Sequence, residues 1–103
     1  MIPLIEQKRD AVAALCRRYN VQRLELFGSA ASDDPGVVAN DLDFLVEFAP
    51  GEDLGPWLAH YFEFRDNLQR LFGRKVDLVM RQALKNPYFI REVNRTRKLF
   101  YAA

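Results

Sequence analysis

Asp41 and Asp43 stand two residues apart at the head of an apolar run. Leu42, Phe44, Val46 and Phe48 alternate there with Asp41, Asp43, Leu45 and Glu47. A period of two marks a β-strand with two unlike faces. The apolar four are expected to face the core, with Asp41 and Asp43 pointing together from the other side. Residues sharing a strand face lie about 6.5–7 Å apart at Cα. Carboxylates that close can converge on one hard cation. Mg²⁺ is commonly held by one or two carboxylates, with substrate phosphates and waters completing its octahedron. Upstream, a run of Leu24, Glu25, Leu26 and Phe27 ends in Gly28-Ser29. Glycine permits positive φ and close backbone approach. Ser29 offers a hydroxyl, and the amides after it can meet a phosphate if a helical turn starts there. The stretch from Leu24 to Phe48 therefore pairs a phosphate-suited end with a metal-suited end. Taken alone, Asp-x-Asp is more often a pair of solvated side chains. Gly28-Ser29 at the end of a second strand shifts the balance toward a site.

A third carboxylate, Asp77, sits in the run Lys75 to Met80, where Val76, Leu78 and Met80 alternate with Lys75, Asp77 and Val79. An Asp inside such a run is costly to bury unless paired. An exposed strand face or an ion pair to Lys75 or Arg74 accounts for Asp77 in isolation. Beside the Asp pair on a neighbouring strand, it reads better as a third carboxylate on the same open face. Asp33 and Asp34 precede Pro35-Gly36 and read as turn residues. His60 is the single histidine. With no second His or Cys placed to help, a solvated position is expected for it rather than a metal role.

Gly-Ser, then about ten residues, then Asp-x-Asp leading an apolar strand resembles the polymerase-beta-like nucleotidyltransferases. Chain size and the segments GRKVDLVM and ALKNPYFIREVNR resemble the minimal nucleotidyltransferases (MNT) of prokaryotes, over nearly the whole chain. The resemblance implies that Gly28 and Ser29 bind a nucleoside triphosphate. It implies that Asp41, Asp43 and Asp77 are catalytic and hold two Mg²⁺ ions. It further implies ATP as substrate and, as partner, a HEPN-domain toxin adenylylated on a tyrosine, with this chain as antitoxin. Many members carry Arg and Gly where this chain has Ser32 and Asp33, and the spacer from Ala30 to Asn40 is one residue longer than the commonest form. An Arg there neutralises phosphate charge, which a serine cannot do. That departure keeps open a second account, a non-catalytic module that neutralises a partner by docking through the helix near Arg91 and Arg95 or the aromatic surface around Trp57.

The elements that must position these residues follow from the pattern. With 103 residues, 50% of them hydrophobic, the chain is expected to form a single domain over 1–103. Fourteen acidic residues nearly cancel fifteen basic ones, which argues against charge-driven nucleic-acid binding over the whole surface. The lone Cys16 excludes an internal disulfide and fits a reducing, cytoplasmic setting. No apolar run approaches the roughly 18–20 residues of a membrane span.

A helix is expected over 3–19, with Cys16 on its apolar face and Asn20 as its stop. Strands are expected over 21–27, 41–48 and 75–80, with a short helical start at 30–32. A long helix is expected over 54–72, capped by Asp53 and ended by Gly73. Its core stripe would be Leu54, Trp57, Leu58, Tyr61, Phe62, Leu68, Leu71 and Phe72. Asn86-Pro87 opens a further helix over 87–95, and 98–101 form a closing strand or extended tail. Arg91, Arg95, Arg97 and Lys98 make a basic run, read as a solvated face or a docking face for an acidic partner.

The expected fold is α/β (α+β): a small mixed sheet, nucleotidyltransferase-like, with helices mainly on one face and the carboxylates on the other. Something must cover that open face, and a partner protein or a second copy (a homo-oligomer) would complete the cleft.

Overall fold

The computed structural model describes all residues from Met1 to Ala103. Four strands, β1 (Val21–Phe27), β2 (Leu42–Phe48), β3 (Val76–Met80) and β4 (Lys98–Ala102), form one sheet in the order β3-β2-β1-β4. β1 is antiparallel to both β2 and β4, whereas β2 and β3 are parallel. A parallel pair needs a crossover, and α3 (Ala59–Phe72) supplies it. The closing segment is thus a true strand, laid on the free edge of β1.

The alternation read in the sequence sorts the two faces. Leu42, Phe44 and Val46 are fully buried, as are Leu24 and Leu26 on β1, and all join the main core. That side is covered by α1 (Pro3–Gln7), α2 (Arg9–Arg18) and α3, which contribute Ile5, Val12, Cys16, Phe64, Leu68 and Phe72. The opposite face carries the carboxylates. It is not bare, because α4 (Pro87–Thr96) lies over its middle, with Val93 packed on Phe27 and Leu45. Leu45, which shares the register of the acidic residues, is accordingly 3% exposed.

Several boundaries differ from the sequence expectation. The first helix is two: Lys8, at φ −102 and ψ 10, separates α1 from α2. Asn20 does stop α2, in a left-handed conformation (φ 54) that asparagine tolerates.

The larger difference lies before α3. Trp57 and Leu58 both take left-handed backbone, at φ 57 and φ 56, so the helix starts at Ala59. Two such residues break the helical phase, and the inward stripe becomes Phe64, Leu68 and Phe72, with Tyr61 and Leu71 half-buried. Phe64 was outside the expected stripe. Trp57, expected in the core, is 94% exposed, and Leu58 and Phe62 are exposed as well. Asp53 does not cap α3; its Oδ1 accepts from the Gly55 N–H at 2.8 Å. Gly73 ends α3 as expected, left-handed at φ 64. Asn86 caps α4, with Oδ1 accepting from the Tyr88 N–H at 2.9 Å.

His60 is half-buried rather than on a solvated face. Its ring packs edge-on against Tyr19 and Phe48, and Nε2–H donates to the Tyr19 carbonyl. Cys16 is fully buried, and that burial pushes its thiol pKa up to about 12. No helix is long and apolar enough to cross a membrane.

Candidate active site

Strand register brings the key residues together. Asp43 on β2 pairs with Asp77 on β3 on one side and with Phe27 on β1 on the other. Gly28 follows Phe27 directly, so the glycine turn and both carboxylates meet at one end of three adjacent strands. The chain leaves β1 through a 3-10 turn, Gly28–Ala31. Gly28 has φ +71, and a Cβ built on it would lie 2.6 Å from Asp43 Oδ2. Only glycine permits both that backbone and that approach. The Gly28 N–H is already engaged, donating to Thr96 Oγ1 at 3.0 Å. Ser29 is exposed beside it.

Asp41 is placed differently from expectation. β2 begins at Leu42, so Asp41 lies on the adjoining loop and is exposed. Its charge still acts on Asp43. Asp77 is half-exposed, with Oδ1 3.6 Å from Lys75 Nζ. The ion pair expected of Asp77 in isolation is therefore present, alongside its position opposite Asp43.

Asp43 has its pKa raised to about 6, first by burial, then by the Asp77 charge and a hydrogen bond shared with Asp77, and further by Asp41. Lys75 works weakly in the other direction. The neighbouring carboxylates outweigh Lys75, so added positive charge would favour the ionised form of Asp43. Two facing carboxylates with a third acidic residue on the adjoining loop form an all-oxygen donor set of the kind a hard divalent cation takes. As the side chains stand, no three acidic, His or Cys groups are drawn into a ready-made metal cage.

The carboxylates open into a cleft of about 550 Å³. Its walls include residues that sequence reasoning did not assign to a site: Tyr61 and Arg65 from α3, and Phe89 and Glu92 from α4. Tyr61 O–H donates to the Leu78 carbonyl, and burial raises its pKa. Arg65 lies over the Phe62 ring, 4.8 Å from its centroid, and pairs with Asp66 at 3.1 Å. Helical periodicity marks Tyr61 as inward-facing but cannot say that it borders the edge strand carrying Asp77.

Asp33 has its charge compensated locally. It pairs with Lys98 Nζ at 2.6 Å and with the N-terminal ammonium, and the Lys98 contact leads in holding its pKa down at about 2. Asp34 is the turn residue expected, Oδ1 accepting from the Gly36 N–H at 2.9 Å.

A family model described as a nucleotidyltransferase domain matches residues 8–99. The chain belongs to this family. It is a nucleotidyltransferase, and an enzyme. Among relatives, a Methanocaldococcus jannaschii protein provisionally named a protein adenylyltransferase is 38% identical over 79 residues, spanning 77% of this chain and 76% of its own. The protein adenylyltransferase MntA of Thermococcus cleftensis is 36% identical over 76 residues, covering 70% of this chain and 68% of its own. The fold is that of the MNT antitoxin complexed with a tri-AMPylated HEPN toxin from Shewanella oneidensis. That match has a TM-score of 0.66 at 20% identity and covers 96% of this chain and 73% of the other.

Proposed function

We propose that this nucleotidyltransferase moves AMP from ATP to a hydroxyl of a partner protein, in a Mg²⁺-dependent reaction. The observation that carries the reading is the pairing of Asp43 with Asp77 beside the Gly28 turn. ATP and a protein acceptor are supported by relatives named protein adenylyltransferases. A HEPN-domain toxin as acceptor is supported by the resemblance and by the AMPylated partner in the solved complex of this fold, and a tyrosine as the modified residue by the resemblance alone. Acting on it, the chain would serve as the antitoxin, in the cytoplasm where such a partner is made.

Gly28 and Ser29 hold the triphosphate, with the glycine keeping the backbone close to Asp43, so that a cation held there would meet the phosphates. The acceptor oxygen forms a bond to the α-phosphorus while the bond to the bridging oxygen breaks, and pyrophosphate leaves. Asp77, on the outer strand, orients the acceptor hydroxyl and takes its proton. Asp41, Asp43 and Asp77 would hold two Mg²⁺ ions, which supply charge stabilisation for the entering and leaving oxygens of an in-line displacement.

The deciding experiment incubates the chain, a HEPN-domain partner and labelled ATP with Mg²⁺. Label on a partner tyrosine is expected, and its loss with Asp41→Asn plus Asp43→Asn. Unchanged labelling by that double variant would overturn the assignment of the site. Labelling of another acceptor, with the HEPN partner left bare, would overturn the partner alone.

A further inference from the structure

The face that carries Asp43 and Asp77 has a second cavity, of about 470 Å³, at the opposite end of the same strands. β1 contributes Phe27 to the cleft but Arg23 and Glu25 to this cavity. β2 contributes Asp43 to one and Glu47 to the other, and Arg81, just past β3, lines the second. Val93, seated on Phe27 and Leu45, stands between them. Arg97, at the end of α4, completes the cavity.

Glu25 forms its floor and is the one buried charged residue of the protein, 2% exposed. Three guanidinium groups converge on it. Arg23 Nε donates to Oε1 at 2.7 Å. Arg97 Nε lies 3.4 Å from Oε2, and Arg81 Nη1 lies 3.8 Å from Oε1. Arg81 Nε is also 3.9 Å from Glu47 Oε2. Of these contacts, only that of Arg23 is a hydrogen bond.

A buried carboxylate needs a well-made pair and hydrogen bonds to its remaining lone pairs. Here three guanidinium groups gather around Glu25 and Glu47, with Ala103 also lining the cavity, and the contacts beyond that of Arg23 are long. Arg23 and Arg97 approach Glu25 through Nε, which leaves their terminal N–H groups free. A guanidinium fork matches the oxygens of a phosphate. The cavity is lined mainly by polar groups and has no aromatic side chain on which a base would stack. Its volume lies within the range of about 300–1,000 Å³ typical of small-molecule sites.

We propose that Arg23, Arg81 and Arg97, gathered over the buried Glu25, form an oxyanion site for a phosphate-class ligand, separate from the Asp43–Asp77 cleft. Inorganic phosphate, pyrophosphate and a phosphomonoester share the required chemistry.

Calorimetry on the full chain, in Mg²⁺-free chloride buffer, tests each separately with phosphate, pyrophosphate and AMP as probes. Saturable binding of at least one is expected, and the tightest of the three identifies the source of the phosphate. Arg81→Gln and Arg97→Gln should each weaken that binding about tenfold, the loss of a charge-assisted contact. Asp43→Asn should leave it unchanged. Absence of saturable binding by all three probes, or binding insensitive to both arginine substitutions, would overturn the site. Tightened binding on Asp43→Asn would overturn it too, by placing the anion in the cleft, where that carboxylate repels it. If an arginine variant fails to fold, the unmodified chain still decides the matter. The Nε resonances of Arg23 and Arg97 should shift on titration with the tightest probe, and unmoved resonances would overturn the proposal.

Discussion

A Cβ on Gly28 would sit 2.6 Å from the carboxylate of Asp43, on a backbone already at φ +71. The glycine turn and the metal-suited carboxylate are therefore one mechanical unit, joined across the β1–β2 pair. Gly28→Ala is expected to destabilise the fold by about 1–2 kcal/mol, the cost of left-handed backbone in a residue with a Cβ. The methyl must also displace the Asp43 side chain. A shift of about 1 Å in a reacting group can cost 10²-fold in rate, and a loss of that order is expected in adenylyl transfer. Denaturant unfolding and a labelled-ATP assay on the same variant separate the two effects.

Asp43 gives a pH prediction with a definite sign. Its folded pKa of about 6 lies above its ordinary value of 3.8. Between those values the folded chain binds more protons than the unfolded one, so stability falls as pH rises through that window. In Mg²⁺-free buffer the protein should lose roughly 1–2 kcal/mol from this group between pH 4 and pH 7, a figure discounted for solvent screening at a half-exposed carboxyl. Asp43→Asn removes the penalty and should be the more stable protein at pH 7.5 while losing transfer. Parallel melting curves at the two pH values check it; a parent and a variant with the same pH dependence would show that Asp43 carries no strain.

The sequence made the carboxylate end legible because a strand period of two is unforgiving: once Leu42, Phe44 and Val46 face inward, Asp43 must face out. Asp77 was legible for the same reason. The unread features depend on contacts between distant segments. Glu25 looks like an ordinary outward residue of β1 until Arg81 and Arg97, more than fifty residues later, close over it. The basic run from Arg91 to Lys98 dissolves in the same way. Arg95 pairs with Glu92, Arg97 faces Glu25 and Lys98 holds Asp33, so the run is not one face. The start of α3 was misread because no glycine or asparagine marks the left-handed residues.

Trp57 and Leu58 test that last point. Left-handed backbone costs a residue with a Cβ about 1–2 kcal/mol, and Trp57 returns little through burial at 94% exposure. Trp57→Gly should therefore stabilise the isolated chain, by about 0.5–1 kcal/mol once the added freedom of the unfolded glycine is counted. The measurement is urea unfolding with m-values compared. A destabilised variant would mean that the indole makes contacts in solution that compensate its backbone.

Asp77 separates binding from chemistry. It reaches the site only through the β2–β3 pairing, where it faces Asp43 and is held 3.6 Å from Lys75. Asp41 and Asp43, by contrast, flank Leu42 on one segment and need no second strand. Asp77→Asn keeps size and shape, so the fold should be preserved. Affinity for Mg-ATP should stay within a few-fold of the parent, because the proposed triphosphate contacts lie on the Gly28 side. Transfer should fall by about 10²–10⁴-fold, the range lost when a positioned acid–base group is removed. The pKa of Asp43 should fall toward its ordinary value, since the charge of Asp77 is one of the groups that raise it. That shift, followed by carboxyl carbon NMR in Mg²⁺-free buffer, reports on the pairing itself and does not depend on turnover. A variant that transfers at the parental rate while the Asp43 shift appears would leave Asp77 as an electrostatic neighbour and reduce the catalytic set to Asp41 and Asp43.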